Sequence, residues 1–302
     1  MRTGKGVVSM YRLLRAGMVI TALALLAGCS ENERSKPVTP AVTAAAIPGD
    51  LTYQDVLQKG EVVHNLAMTA DARQVWVGTH SGLYSSAGGG LWGLLFPQLE
   101  QEDVAGWYVD PQNPRQIFMA GSDGVMRSTD GGETWNRADE GLPKPANIRS
   151  FIGTREGDQI RLFAFVTGEG IYQSSDEGDQ WKMWLPLDQE VYAMDYNPLE
   201  DRLYVAAQYN LLYHESGQWY TETVPNVQQI YCLAVDRTTG ILAVATEQGI
   251  MEKEDGEWRP LAAKAPEKLI VVAPGAGPYR WVGIGESAFV YALTDDKWTK
   301  WN

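Results

Sequence analysis

The sequence predicts an all-β fold, a β-propeller of six four-stranded blades, and three observations predict it. Six tryptophans (Trp92, Trp135, Trp181, Trp219, Trp258 and Trp298) recur at intervals of 43, 46, 38, 39 and 40 residues. Each follows three short apolar runs that keep one order and are separated by turn residues. Finally, the run "STDGGETW" at 128–135 returns as "SSDEGDQW" at 174–181, so a complex turn recurs at a fixed place in the unit. Self-similarity at about 40 residues with four strands per unit is the pattern of a propeller blade.

The units read the same way in order. An apolar first run opens each: "VVHNLAM", "VAGWYVD", "IRSFIGT", "VYAMDY", "IYCLAV" and "LIVVAP". After a turn cluster such as "DPQNPR" or "DRTTG" comes a second: "QVWVG", "QIFMAG", "RLFAFV", "RLYVAA", "ILAVAT" and "RWVGIG". A tight connection leads to the third run, and the tryptophan marks a short fourth strand. These lengths suit half-buried and buried strands rather than helices. Six units cover residues 60–302. The alternative is a seventh, irregular blade using 49–60. No swapped strand is evident to latch the ring, although "LTYQDVL" is placed to supply one.

The ends and the composition bound the function. Residues 1–28 read as a signal peptide: Arg2, Lys5, Arg12 and Arg15 without an acid, then the short apolar core "MVITALALLAG". Leu26-Ala27-Gly28-Cys29 resembles the lipobox of bacterial lipoproteins, which implies cleavage before Cys29, a lipid on its thiol, and export. Residues 29–48 are Pro/Ala/Thr-rich and read as a disordered tether, leaving 49–302 as the propeller domain. Removing the leader's four basic residues leaves 21 basic against 38 acidic, a net charge of −17. That balance excludes nucleic acid as a partner and assigns membrane attachment to the lipid rather than to charge. Cys232, in an apolar run, reads as a buried and inert thiol, and His214 as a surface residue on the face away from the binding mouth.

The strand order, with "VDPQNP", "GLYSS", "GVMRSTDGGETW" and "GIYQSSDEGDQW", resembles the bacterial neuraminidase repeat, or Asp-box, family of propellers. This superfamily includes sialidases, sortilin-type receptors and a photosystem assembly factor. "VVHNLAM" and "GTHSGLY" look closer to bacterial glycosylhydrolase-like lipoproteins than to that assembly factor. The resemblance implies a structural box on the turn between third and fourth strands, formed by Ser128, Asp130, Gly132 and Trp135 and by Ser174, Asp176, Gly178 and Trp181. In it the acid and serine bind local backbone, glycines take positive φ, and the tryptophan packs between blades. Ala87 replaces the acid in the first unit while the tryptophan persists, so the boxes read as scaffold.

Function is then expected at the opposite face, on the connections between second and third strands and at the starts of first strands. Candidate ligand-binding residues there are His64, His80, Arg149, Tyr192, Tyr209, Tyr231 and Glu247, with Glu190 nearby. Asp123, Glu169 and Glu286 are the candidate catalytic acids. Three readings of this rim stay open: solvated polar turns, a glycan site with aromatic stacking, or a cation held by histidine and carboxylate. The sequence assigns no cofactor and no metal, and expects a monomer. A sialidase-like enzyme would need an Arg-Ile-Pro stretch, and none occurs. Connections of two to five residues suit recognition more than enclosure. The expectation is therefore a non-catalytic binding or assembly module, lipid-anchored at the cell envelope, with a glycan or envelope protein as ligand. The alternative is a glycoside hydrolase working through rim carboxylates.

Overall fold

The computed structural model describes residues 49–207 and 210–301. The segments read as signal peptide and tether, together with Cys29 and Tyr209, lie outside the described residues. β1 (Leu51–Thr52) and helix α1 (Tyr53–Gly60) come first. Blade 1 then holds β2 (Val63–Met68), β3 (Val75–Thr79), β4 (Gly82–Ser86) and β5 (Leu91–Leu94). Blade 2 holds β6 (Gly106–Val109), β7 (Ile117–Gly121), β8 (Gly124–Ser128) and β9 (Asn136–Arg137). Blade 3 holds β10 (Ile148–Glu156), β11 (Gln159–Val166), β12 (Gly170–Ser174) and β13 (Lys182–Pro186). Blade 4 runs through β14 (Val191–Asn197), β15 (Arg202–Ala207), β16 (Asn210–Glu215) and β17 (Gln218–Glu222). Blade 5 runs through β18 (Ile230–Val235), β19 (Leu242–Thr246), β20 (Gly249–Glu254) and β21 (Glu257–Pro260). Blade 6 ends the ring with β22 (Leu269–Pro274), β23 (Tyr279–Gly285), β24 (Val290–Thr294) and β25 (Lys297–Lys300). Each sheet is antiparallel with its blade strands in chain order, so the six-bladed propeller is as the repeat predicts.

Residues 49–60 make neither a seventh blade nor a latch. β1 pairs with β5 as a fifth strand on the outer edge of blade 1, through Leu51 opposite Trp92. The rest turns helical because Thr52 and Asp55 cap each other: the Asp55 amide donates to Thr52 Oγ1 at 3.2 Å and the Thr52 amide to Asp55 Oδ2 at 2.7 Å. Tyr53 and Val56, three apart, then share the buried face. Among the described residues no strand pairing joins blades 1 and 6, and the ring closes through side-chain packing. Leu66, Val75, Val77 and Tyr84 of blade 1 pack with Val271, Val282, Ile284 and Val290 of blade 6, and Trp301 packs against this cluster.

Second strands such as "VWVGT" and "LAVAT" are buried throughout, which is why they lack the alternation of a one-sided sheet. Blades approach closely: a Cβ on Gly106 would lie 2.5 Å from the Phe151 carbonyl oxygen of blade 3. Polar ties cross the ring as well. Arg155 of blade 3 grips the fully buried Asp110 of blade 2 through Nε (2.6 Å) and Nη2 (2.5 Å). Arg237 of blade 5 donates to the Gly153 carbonyl of blade 3 (2.5 Å) and to Asp195 of blade 4 (2.7 Å).

The two Ser-Asp turns behave as scaffold. Ser128 Oγ donates to Asp130 Oδ1 (2.8 Å) and accepts from the Gly132 amide (2.8 Å), while Asp130 accepts from the Thr134 amide (2.9 Å). Hydrogen bonds from the Thr134 hydroxyl and amide and from Ser128 hold the Asp130 carboxyl far below its ordinary range. Ser174, Asp176, Gly178 and Gln180 repeat the pattern. The indoles reach the preceding blade or the segment leaving it: Trp181 Nε1 donates to the Ala138 carbonyl (2.8 Å), Trp258 to Glu222 (2.9 Å) and Trp298 to the Ala263 carbonyl (3.1 Å). Trp135 meets Phe96 edge-on at 5.1 Å.

The later echoes of the turn differ. In blades 4, 5 and 6 the third and fourth strands meet in two-residue hairpins, with Glu215 opposite Gln218, Glu254 opposite Glu257, and Thr294 opposite Lys297. Ser216, Gly217, Asp255 and Gly256 take φ of 50°, 82°, 51° and 80°, the left-handed pair that a tight hairpin requires. The expectation for His214 is also corrected. Its ring is buried between Trp184 (4.9 Å) and Trp219 (5.3 Å), because the outer strand of blade 3 covers blade 4 there. Desolvation holds its pKa below the ordinary histidine value.

Candidate functional site

One backbone irregularity sets the rim. In five blades the register between first and second strand slips around a single residue near the strand start. The slipped residues are His64, Arg149, Tyr192, Tyr231 and Ile270. A bulge leaves one residue unpaired and re-aims its side chain. Four of the predicted rim residues therefore occupy one equivalent position, and Arg149, Tyr192 and Tyr231 do so on three consecutive blades. Arg149 and Tyr192 are exposed, and Lys268 lies 5.1 Å over the half-buried Tyr231 ring.

The most concentrated polar group lies beside blade 1. His64 Nε2 is 3.1 Å from His80 Nδ1 and 3.2 Å from Asp103 Oδ1, and His80 Nδ1 is 3.1 Å from the same oxygen. His64 sits on the β2 bulge and His80 opens the β3–β4 turn. Asp103 comes from the segment entering blade 2, seated there by the Val104 amide donating to the Thr79 carbonyl (2.9 Å). The second oxygen of Asp103 accepts from the Ser122 amide at 2.9 Å. Burial alone would raise this carboxyl; the hydrogen bonds from His64 and Ser122 and the nearby histidines outweigh it and bring it down to about 2. The proximity of His64 and His80 was legible in their shared blade. Asp103 was not, because it is one acid among 38 and belongs to a linker rather than a turn.

The remaining predicted residues scatter. Glu247 is committed to the Gln228 and Gln229 amides (2.8 and 3.0 Å), and Glu286 pairs with Lys268 at 2.9 Å. Glu169 and Glu190 are exposed. Asp123, also exposed, borders a groove of about 510 Å³ between blades 2 and 3, together with Arg137, Asp139, Glu140, Lys144 and Asp179. The three candidate catalytic acids thus stand on turns of three different blades: 2, 3 and 6. Burial pushes the Cys232 thiol up to about 11, in keeping with an inert cysteine.

No protein-family description matches the chain, and no curated protein does. Solved structures do. The GH74 xyloglucanase from Xanthomonas campestris superposes with a TM-score of 0.54 at 14% identity, covering 80% of this chain and 47% of that one. An ancestral GH74 enzyme gives 0.52 at 14% identity, covering 80% of this chain and 37% of that one. The chain is a β-propeller. It spans less than half the length of either enzyme, and at this identity the likeness concerns the fold.

Proposed function

We propose that this chain is an exported Asp-box propeller, anchored to the envelope by a lipid on Cys29, that binds a glycan at its rim without cleaving it. One observation carries the reading: the bulge that places Arg149, Tyr192 and Tyr231 at one position on consecutive blades. Tyr192, with the Tyr231 ring face that Lys268 does not cover, offers a surface for sugar stacking, and Arg149 at the equivalent position of blade 3 offers a donor fork for hydroxyl or carboxylate oxygens. The Ser-Asp turns with their interblade tryptophans support the Asp-box assignment, and the hydrophobic leader ending in Leu-Ala-Gly-Cys supports the anchor.

The carboxylates favour binding over hydrolysis. A glycosidase needs one acid kept protonated, its pKa raised, opposite a second. Among the described residues, the carboxyls whose titration is shifted, including Asp103, Glu247 and Glu267, are shifted down. The hydrolase reading draws on the xyloglucanase likeness, so xyloglucan belongs in the test panel. Binding of the full-length chain to arrayed glycans, lost in Tyr192→Ala and Arg149→Ala while hydrolysis stays absent, is the expected result. Turnover abolished by Glu169→Gln or Glu286→Gln would replace this reading with the hydrolase.

A further inference from the structure

We propose that His64, His80 and Asp103 form a binding site for a divalent transition-metal ion of the zinc class. The inference is independent of glycan recognition, and it takes up the cation reading that the sequence left open although it assigned no metal.

The geometry suits three ligands of one ion. Three potential donor atoms, two imidazole nitrogens and a carboxylate oxygen, stand 3.1, 3.1 and 3.2 Å apart. Atoms bound to one ion at about 2.1 Å lie about 3.0 Å apart at a right angle and about 3.4 Å apart at a tetrahedral angle. The observed separations fall between these. With both imidazoles neutral, hydrogen bonding crowds the group. His64 as its Nε2–H tautomer and His80 as its Nδ1–H tautomer can both donate to Asp103 Oδ1, but only with two N–H groups on nitrogens 3.1 Å apart converging on one oxygen. One cation at the centre satisfies all three at once.

The supports of each ligand point the same way. A scaffold role accounts for only one oxygen of Asp103: its Oδ2 holds the Ser122 amide, as Glu267 in the linker to blade 6 holds the Ser287 amide at 2.9 Å. The other Glu267 oxygen is taken by the Tyr291 hydroxyl (2.8 Å), whereas Asp103 Oδ1 is turned to the two imidazoles. Held by one backbone donor, that carboxylate is oriented for coordination. Side-chain exposure rises from 11% at Asp103 and 18% at His64 to 39% at His80. The site is walled on one side and open at His80, which leaves a coordination position for water or a ligand oxygen. Two imidazoles and a single carboxylate select zinc, cobalt or nickel over calcium and magnesium, which need more oxygen ligands. The ion would join the first strand and turn of blade 1 to the segment that begins blade 2.

Equilibrium dialysis of the full-length chain against Zn²⁺ tests this, with metal analysis of the protein and a melting curve on each sample. The expected result is one zinc per chain, with a rise in melting temperature on the order of 5 °C at saturating metal. His80→Gln, which removes the most exposed ligand, should weaken zinc binding by at least about tenfold and leave the metal-free melting temperature unchanged. Excess Ca²⁺ should not displace the zinc. Co²⁺ in place of Zn²⁺ should give visible absorption bands that disappear in His64→Gln. Equal zinc content in wild type and His80→Gln, or displacement by Ca²⁺, would overturn the proposal, since either would mean diffuse binding to the acidic surface.

Discussion

Blades 1 and 3 fill the same tryptophan slot by different means. In blade 3 a complete Ser-Asp turn presents Trp181, whose Nε1 donates to the Ala138 carbonyl at 2.8 Å. In blade 1 the acid is Ala87, the glycines at 88–90 lie in open space, and Trp92 Nε1 is buried without a hydrogen bond. Its cover arrives from outside the repeat, through β1 pairing alongside it and Tyr53 at 4.9 Å. The slot is therefore constant, while its support can be local or borrowed from the N-terminal segment. A motif in the turn reports which kind of support operates, not whether the slot exists.

That contrast can be broken most strongly at the indole itself. Trp181→Ala should cost about 3–5 kcal/mol in urea unfolding, since it empties a buried site and frees a carbonyl. Tyr53→Ala should cost a similar amount for blade 1, and a Tyr53→Ala effect below about 1 kcal/mol would mean that the borrowed cover is idle. The turn glycines sharpen the comparison. Gly132 has φ 93°, and a Cβ there would lie 2.3 Å from the Phe96 ring, so Gly132→Ala should lose about 3 kcal/mol. Gly89→Ala, at φ 74° with nothing within 4 Å, should lose only about 1 kcal/mol of backbone strain.

Smaller effects belong to the side chains of the turn. Ser174→Ala leaves the Gly178 amide unbonded and should cost about 1–2 kcal/mol, measurable by chemical denaturation. The smallest is a pH effect. Burial would raise the Asp176 carboxyl, yet the Gln180 amide and Ser174 hydroxyl carry it below its ordinary 3.8. A depressed folded-state pKa contributes stability above the unfolded value that is lost as pH falls through the folded one. Asp176→Asn should therefore flatten the acid limb of the stability profile below about pH 4, while blade 1, with Ala87, has no corresponding loss. Urea midpoints across that range decide it.

The fold was legible because a repeat multiplies a weak strand signal six times. The N-terminal segment was misread for the opposite reason. "LTYQDVL" occurs once, and its strand-like apolar residues also suit a capped helix with Tyr53 and Val56 on one face. His214 was misplaced because its burial depends on Trp184 of the neighbouring blade, a contact with no local trace. At the rim, the residue types could be picked out from their place in each unit, and the common bulge explains why. Their partners could not: Glu247 is engaged by amides, which carry no sequence signature, and Asp103 joins the histidines only because the linker folds back on the β3–β4 turn.

The cluster that joins the first and last blades has a consequence for how the chain is made. Tyr53 and Trp301, at opposite limits of the described residues, settle on one set of side chains. Until the final strand has emerged, blade 1 keeps an apolar flank facing water, so assembly must finish at the point where it began. A chain of this design stays vulnerable to aggregation until the last strand of blade 6 arrives, and removing β25 should harm blade 1 as much as blade 6.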